Sequence, residues 1–152
     1  MAETTDAAPI WLIFAIFPLA LGTMFFLVGN LLAALGGWKA LAAAYPPTEE
    51  PPGERFAWRS MRIGWVNYNN CVNLVAGRFG LHFSMVFLLR LGHPPFYVPW
   101  SEITVTCQKG WIFEYIQFYA RKAPGVRLRL LRGQAEQILR AAGQPVPQPP
   151  GR

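Results

Sequence analysis

Charged residues are missing from a long stretch of this chain: between Ala7 and Trp38 there is no Asp, Glu, Lys or Arg. Over all 152 residues only 14% are charged, against about 25% in an ordinary globular protein. Cysteine is nearly absent, with Cys71 and Cys107 the only two, which excludes a small secreted scaffold stapled by disulfides. Acidic residues run out early, since only Glu102, Glu114 and Glu136 follow Glu54. What fills the space is hydrophobic, 53% of the chain, too much for a disordered polymer. The length admits one domain, or one small domain with an appendage.

The uncharged stretch holds a single apolar run, Ile10 to Leu35, whose only polar side chains are Thr23 and Asn30. As a helix it extends about 39 Å, more than the roughly 30 Å of a bilayer hydrocarbon core. A soluble helix apolar on every face would need a far larger protein around it. A cleaved signal peptide should open with positive charge and carry a shorter apolar core. Here the leader contains Glu3 and Asp6 and no basic residue. An uncleaved, single-pass anchor is therefore expected over residues 10–37, behind a short acidic leader over 1–9. Lys39, Arg55, Arg59 and Arg62 follow the span, so the positive-inside rule leaves the amino terminus outside and sends the rest of the chain into the cytoplasm. Free thiols at Cys71 and Cys107 suit that reducing compartment, although two cysteines could also pair in an oxidising one.

Small residues recur along the span at Ala15, Gly22, Gly29 and Gly36, and Gly29 with Ala33 makes a small-xxx-small pair. Such a face lets another helix approach closely, and Asn30 adds a hydrogen-bonding group to it. Gly22, Gly29, Asn30, Ala33 and Gly36 are thus the expected packing residues toward a partner helix or a second copy. Pro18 removes a backbone donor and is expected to bend the first half. Trp38 and Lys39 are expected to anchor the end of the span among the head groups.

Residues 38–54 read as a short juxtamembrane helix, WKALAAAY, stopped by Pro46-Pro47 and followed by a Pro/Glu-rich spacer. From 55 to 143 the pattern changes to short alternating strands and tight turns. Phe56 to Trp65 is an irregular first strand, and Cys71 to Ala76 a second, turned by Gly77 to Gly80. Leu81 to Leu91 alternates for 11 residues as a long strand, and Phe96 to Val98 is an edge strand before Pro99. Ile103 to Gln108 and Trp111 to Tyr119 are two more, separated by a turn at Lys109-Gly110. A turn at Lys122 to Gly125 leads into Val126 to Leu131, and Gly133 to Gly143 is a helix with a terminal Gly signal. The four-proline tail, 144–152, is expected to be disordered.

Strands followed by one helix predict a small antiparallel barrel that the helix closes. That order resembles pleckstrin-homology-like and GRAM-like domains. Gly80-Leu81-His82-Phe83-Ser84 is similar to a "GL-x-L/F-S" strand opening of such domains, and Phe96-Tyr97-Val98-Pro99-Trp100-Ser101-Glu102-Ile103 to their "I-P-W-S-E-I" segment. The resemblance covers roughly residues 68 to 142. With the leading span, the chain resembles small bacterial membrane proteins of unassigned function, which implies the inner membrane. It departs from the family's phosphoinositide-binding pattern: the Lys-x-Arg type cluster after the first strand is reduced to Arg59 and Arg62.

The motifs of the common catalytic machineries are missing: P-loop, G-x-S-x-G, C-x-x-C and H-E-x-x-H. His82 and His93 read as strand and turn residues, and the two cysteines as small apolar strand residues. No cofactor, metal site or catalytic residue is expected, and the chain reads as a non-enzyme. The informative feature is charge. From Arg55 to Arg152 there are 13 basic and 3 acidic residues, a surplus of +10. Tethered to a bilayer, such a domain lies within reach of anionic lipid, each basic residue near the surface contributing about 1 kcal/mol. Arg59, Arg62, Lys122, Arg127, Arg129 and Arg132 are the expected contacts to anionic head groups or an acidic protein partner. Nucleic acid is not expected, because the aromatics fall at core-like positions and the chain is membrane-bound. The leading expectation is a scaffold or accessory protein; the alternative is an integral subunit of a larger transport or secretion complex, packed through its glycine face.

Overall fold

A computed structural model describes residues 9–151; the acidic leader before Pro9, and Arg152, lie outside the described residues. Helix α1 spans Ile10–Leu35 without interruption through Pro18. It is one helix long and apolar enough to cross a membrane, and only 6% of its most apolar window is buried by the rest of the chain. The donors of its two polar side chains are satisfied by the helix itself. Thr23 Oγ1 donates to the Leu19 carbonyl at 2.8 Å, and Asn30 Nδ2 to the Phe26 carbonyl at 2.9 Å. Neither leaves a bare donor on an apolar surface.

At Gly37 the backbone turns left-handed, with φ +87, and a second helix, α2, runs over Trp38–Ala44. Seven strands follow: β1 Gly53–Ile63, β2 Val66–Gly77, β3 Gly80–Met85, β4 Phe96–Pro99, β5 Ile103–Lys109, β6 Glu114–Ala120 and β7 Ala123–Leu131. A last helix, α3, spans Arg132–Ala141. The strands form one sheet in the order β4-β3-β2-β1-β7-β6-β5, with every pairing antiparallel. β1 is the hinge of this sheet. Its register against β2 shifts between Phe56 and Arg59 and again between Arg59 and Met61, where Trp58 takes φ 55. Such bulges bend a strand and increase its twist, so the far end of β1 reaches β7 through Arg62 and Ile63.

Both halves of the sheet bury one core. Phe56, Met61, Ile63, Leu74, Phe83 and Phe96 contribute from one half, and Ile116, Phe118, Leu128 and Leu130 from the other. α3 contacts β1, β2, β6 and β7, placing Ala135, Ile138 and Leu139 in that core. β4 and β5 remain edges, joined through a 3-10 turn at Trp100–Glu102. The seven antiparallel strands and terminal helix are compatible with the expected small barrel, with no β4–β5 pairing among the described residues.

Several boundaries differ from the sequence expectation, β1 and β7 each beginning three residues early, at Gly53 and Ala123. β2 begins five residues before Cys71, because Val66 to Asn70 pairs with the end of β1 although three of its residues are asparagines. β3 ends at Met85 rather than continuing to Leu91, and Phe87–Leu89 coils into a 3-10 turn. Trp111 to Phe113 is the exposed tip between β5 and β6, not strand. The tail is partly ordered, with Gln144 N donating to the Leu139 carbonyl at 2.8 Å and Val146 packed against the core.

α2 packs against the sheet. It was expected to belong to a separate juxtamembrane segment, yet Trp38, Leu41 and Ala42 are buried and α2 packs on β4 and β7. Tyr45 continues the contact, its hydroxyl accepting from Lys122 N at 2.9 Å. The core cluster also includes Ala33 of α1.

Candidate functional site

The expected basic contacts separate into two groups. β1 and β7 pair so that Arg62 lies directly opposite Arg129, and Arg127 is two residues along β7 on the same face. These three arginines, with Gly64, Trp65 and Gly125, line a cleft of about 380 Å³. Like charges directly opposed across two strands are unfavourable, and no acidic side chain lines the cleft. None of the three arginines has an ion-pair partner among the described residues.

Arg129 is held rather than free to swing. Its guanidinium lies 5.4 Å over the Tyr115 ring. With the buried Gln117 amide oriented to satisfy all its neighbours, the Gln117 oxygen accepts from Arg129 Nε at 3.0 Å and Nη2 at 2.7 Å. The opposite amide orientation, which has only the Tyr119 hydroxyl as partner, aims the NH2 group at a guanidinium and is discarded on that ground. A stacked, hydrogen-bonded guanidinium is pre-organised to take a planar or tetrahedral oxyanion.

The cleft is at the end of α1. A Cβ on Gly64 would stand 2.4 Å from the Gly36 carbonyl oxygen, and one on Gly37 would stand 2.6 Å from Val126 Cγ2. The β1–β2 turn and the start of β7, which carry the cleft, thus abut the chain where it leaves the apolar helix. Trp65, 85% exposed, projects from that turn.

The other expected contacts lie elsewhere: Arg132 and Lys122 are paired with carboxylates, whereas Arg59 has a buried Nε without a hydrogen-bond partner among the described residues. Arg132 pairs with Glu114 and Glu136, and those two carboxylates raise its already high pKa. Arg59 lies 5.3 Å over the Phe56 ring, near Glu114 and Arg132. Lys122 is 3.9 Å from Glu102 and 5.4 Å over the Tyr45 ring. The structure brings together Arg62, Arg127 and Arg129 and does not bring Arg59, Lys122 and Arg132 to them.

The small-residue face of α1 is used by the chain itself. Gly29 faces His93 and the Leu91 carbonyl, Gly36 faces Val66, and Ala33 is fully buried. Asn30 accepts from Lys39 Nζ at 2.8 Å through Oδ1. Gly22 alone of the expected packing residues has nothing within 4 Å. Trp38, expected among head groups, is fully buried, and its indole N–H donates to the Pro94 carbonyl at 2.8 Å. A ring enclosed by Tyr68, His93 and Phe96 has no face left for lipid.

His93 joins these parts and was missed as a functional position because a His before Pro-Pro reads as a surface turn. It is buried, with Nδ1 3.1 Å from the Leu89 carbonyl and Nε2 3.2 Å from the Tyr68 hydroxyl. A carbonyl only accepts, so Nδ1 carries the proton and Nε2 accepts from Tyr68. Burial pushes the Tyr68 pKa up to about 12, which keeps that hydroxyl a donor. Burial first, and Lys39 further, hold His93 below its ordinary 6.5. Burial likewise lowers His82, whose Nδ1 has no partner.

Depressed folded-state values mean that the unfolded chain takes up protons first on acidification. The stability held by neutral His93 and His82 is complete above about pH 6.5 and is lost as pH falls through their depressed folded values. Melting temperature of the full chain in detergent is expected to be level from pH 8 to 7 and to decline below pH 6.5. A profile level down to pH 5 contradicts the neutral-histidine assignment.

Among the described residues no three His, Cys, Asp or Glu side chains converge as metal ligands. Comparison of the chain with family models, curated proteins and solved structures returned no match.

Proposed function

We propose that this chain is a single-pass membrane-anchored scaffold or accessory protein without catalytic activity, whose domain holds anionic lipid head groups in the Arg62–Arg127–Arg129 cleft. The observation that carries this reading is position: three arginines without a carboxylate partner among the described residues occupy a cleft built against Gly36-Gly37, where α1 ends. In this reading α1 crosses the inner membrane, and the Lys and Arg residues after it keep the domain cytoplasmic. The strand order and terminal helix support reading the domain as pleckstrin-homology-like.

The cleft provides shape as well as charge. Arg62 and Arg129 present guanidinium groups from opposed strand positions, and a bound phosphate relieves their mutual repulsion. Trp65 beside them is the amphipathic ring favoured at head-group level. Three basic groups near an anionic leaflet contribute about 3 kcal/mol in total, on the order of a hundredfold in affinity.

Native mass spectrometry of the full-length chain released from detergent tests this directly. The wild type is expected to retain phosphatidylglycerol far better than phosphatidylcholine, and less of it as ionic strength rises. The combined variant Arg62→Gln, Arg127→Gln, Arg129→Gln is expected to lose that preference. Replacing Arg59, Lys122 and Arg132 by Gln should leave the preference in place. Equal retention of both lipids by the wild type sinks the proposal.

A further inference from the structure

We infer that the β3–β4 connection is a second membrane contact, with Phe87, Leu88 and Leu91 inserted at the hydrocarbon boundary of the leaflet in which α1 ends. It rests on the reading of α1 as a span and adds a site to it.

The connection runs from Val86 to Pro95 as VFLLRLGHPP. Phe87 is 88% exposed, Leu88 82% and Leu91 69%, while Leu89 packs against the core. Three large apolar side chains therefore stand out on one ten-residue connection. Leaving each in water forgoes the free energy of burying it, and contiguous exposed apolar groups mark an interaction surface. The base of the connection is fixed, since His93 is buried beneath it and bonded to Leu89 and Tyr68. The apolar tips are presented from a firm support.

What they meet follows from where the connection touches α1. Gly92, at φ +100, backs onto the Asn30 side chain, and Leu91 O and His93 Cε1 lie about 4 Å from a Cβ at Gly29. The depth of that level is set independently. Lys39 Nζ reaches back along the chain to donate to Asn30 Oδ1 at 2.8 Å, so a charged ammonium stands beside Asn30. An ammonium belongs in the head-group region, which starts the hydrocarbon on the amino-terminal side of Asn30. From Ile10 to Gly29 there are 20 residues, about 30 Å of helix, the thickness of a hydrocarbon core.

The connection thus meets α1 at the edge of the hydrocarbon. Its exposed apolar side chains need only the 5–10 Å penetration typical of interfacial elements. Arg90, between them in sequence and exposed, has a stem long enough to keep its guanidinium among phosphates. The basic cleft abuts Gly36, seven residues after Gly29 and so about 10 Å further from the hydrocarbon. Apolar tips at one depth and arginines at the next match the two layers of a leaflet.

Full-length chains carrying Phe87→Cys, Phe79→Cys or Met24→Cys are labelled with an environment-sensitive fluorophore and placed in nanodiscs of phosphatidylcholine and phosphatidylglycerol. Phe79 is exposed at the β2–β3 turn and Met24 is exposed on α1, while native Cys71 and Cys107 are buried. The label at 87 is expected to be blue-shifted and quenched several-fold more by shallow nitroxide lipids than the label at 79. The label at 24 is expected to be quenched by deep nitroxides. A label at 87 that behaves like 79, while 24 is quenched, overturns the loop insertion and leaves the span intact. A blue shift at 87 without lipid quenching shows a protein contact and also overturns it. Absence of quenching at 24 removes the span itself, and the insertion with it.

Discussion

Trp38→Ala is expected to destabilise the domain by about 3–5 kcal/mol, the range for deleting a fully buried large aromatic. The indole has no exposed surface and three ring neighbours. Phe96 is 5.1 Å away and His93 5.4 Å, both edge-on, and Tyr68 is 5.6 Å away and tilted. Truncation opens a cavity among those rings and strips the Pro94 carbonyl of its 2.8 Å donor. Two costs coincide, lost packing and an unpaired acceptor. It also removes the ring packed edge-on against His93, so the β3–β4 connection is expected to loosen. The measurement is a urea titration of full-length protein in detergent, followed by near-ultraviolet circular dichroism. A midpoint unmoved by Trp38→Ala would mean that the ring lies among head groups. Trp65→Ala is the comparison: an exposed ring whose loss should leave the midpoint within about 0.5 kcal/mol of wild type.

The second large effect concerns the close approach of α1 to the sheet. Gly64→Ala is expected to cost clearly more than Gly143→Ala, although both glycines have positive φ, +56 and +68. At Gly143 a new Cβ meets nothing within 4 Å, so only the left-handed strain remains, about 1–2 kcal/mol. At Gly64 the same Cβ would stand 2.4 Å from the carbonyl oxygen of Gly36. That neighbour is backbone at the end of a helix and cannot rotate away. Either the β1–β2 turn or the helix end must withdraw. Gly36 N donates to the Leu32 carbonyl at 2.8 Å and Gly64 N to the Arg127 carbonyl at 2.8 Å, so withdrawal strains bonds on both sides. The expected result is a total loss of about 3 kcal/mol or more. It should be accompanied by faster amide exchange at Gly64 and Val66 but not at α3. Equal destabilisation by the two alanine variants would show that no close contact exists there.

These two predictions also mark where sequence reading succeeded and where it stopped. The long helix, the alternating strands and the terminal helix were legible because each depends on spacing along the chain. Ile103 to Lys109 alternates and forms β5; Val126 to Leu131 alternates and forms most of β7. The same rule misread Leu81 to Leu91. The last pair between β2 and β3 is Val72 with Met85, and Val86 N donates to the Cys71 carbonyl at 3.0 Å, after which β3 has no further pairing. Apolar alternation continues past that point although no sheet does. Conversely, Val66 to Asn70 was missed because three asparagines hide a strand whose partner is β1.

Composition and local spacing by themselves determined that one helix is long and apolar enough for a bilayer and that Arg55 to Arg152 carries a surplus of +10. Asn30 was expected to bond a partner helix, whereas the structure bonds Thr23 and Asn30 to the Leu19 and Phe26 carbonyls of their own helix. Only the tertiary structure decided which charges work together. Arg62 and Arg129 are 67 positions apart and become neighbours because bulges bend β1 onto β7. Arg132, three residues beyond Arg129, is instead taken up by Glu114 and Glu136. Periodicity records neighbours along the chain, whereas partnership between charges and the burial of Trp38 depend on segments brought together from far apart. For that physical reason the basic excess was readable in one dimension, and the cleft beside the helix end only in three.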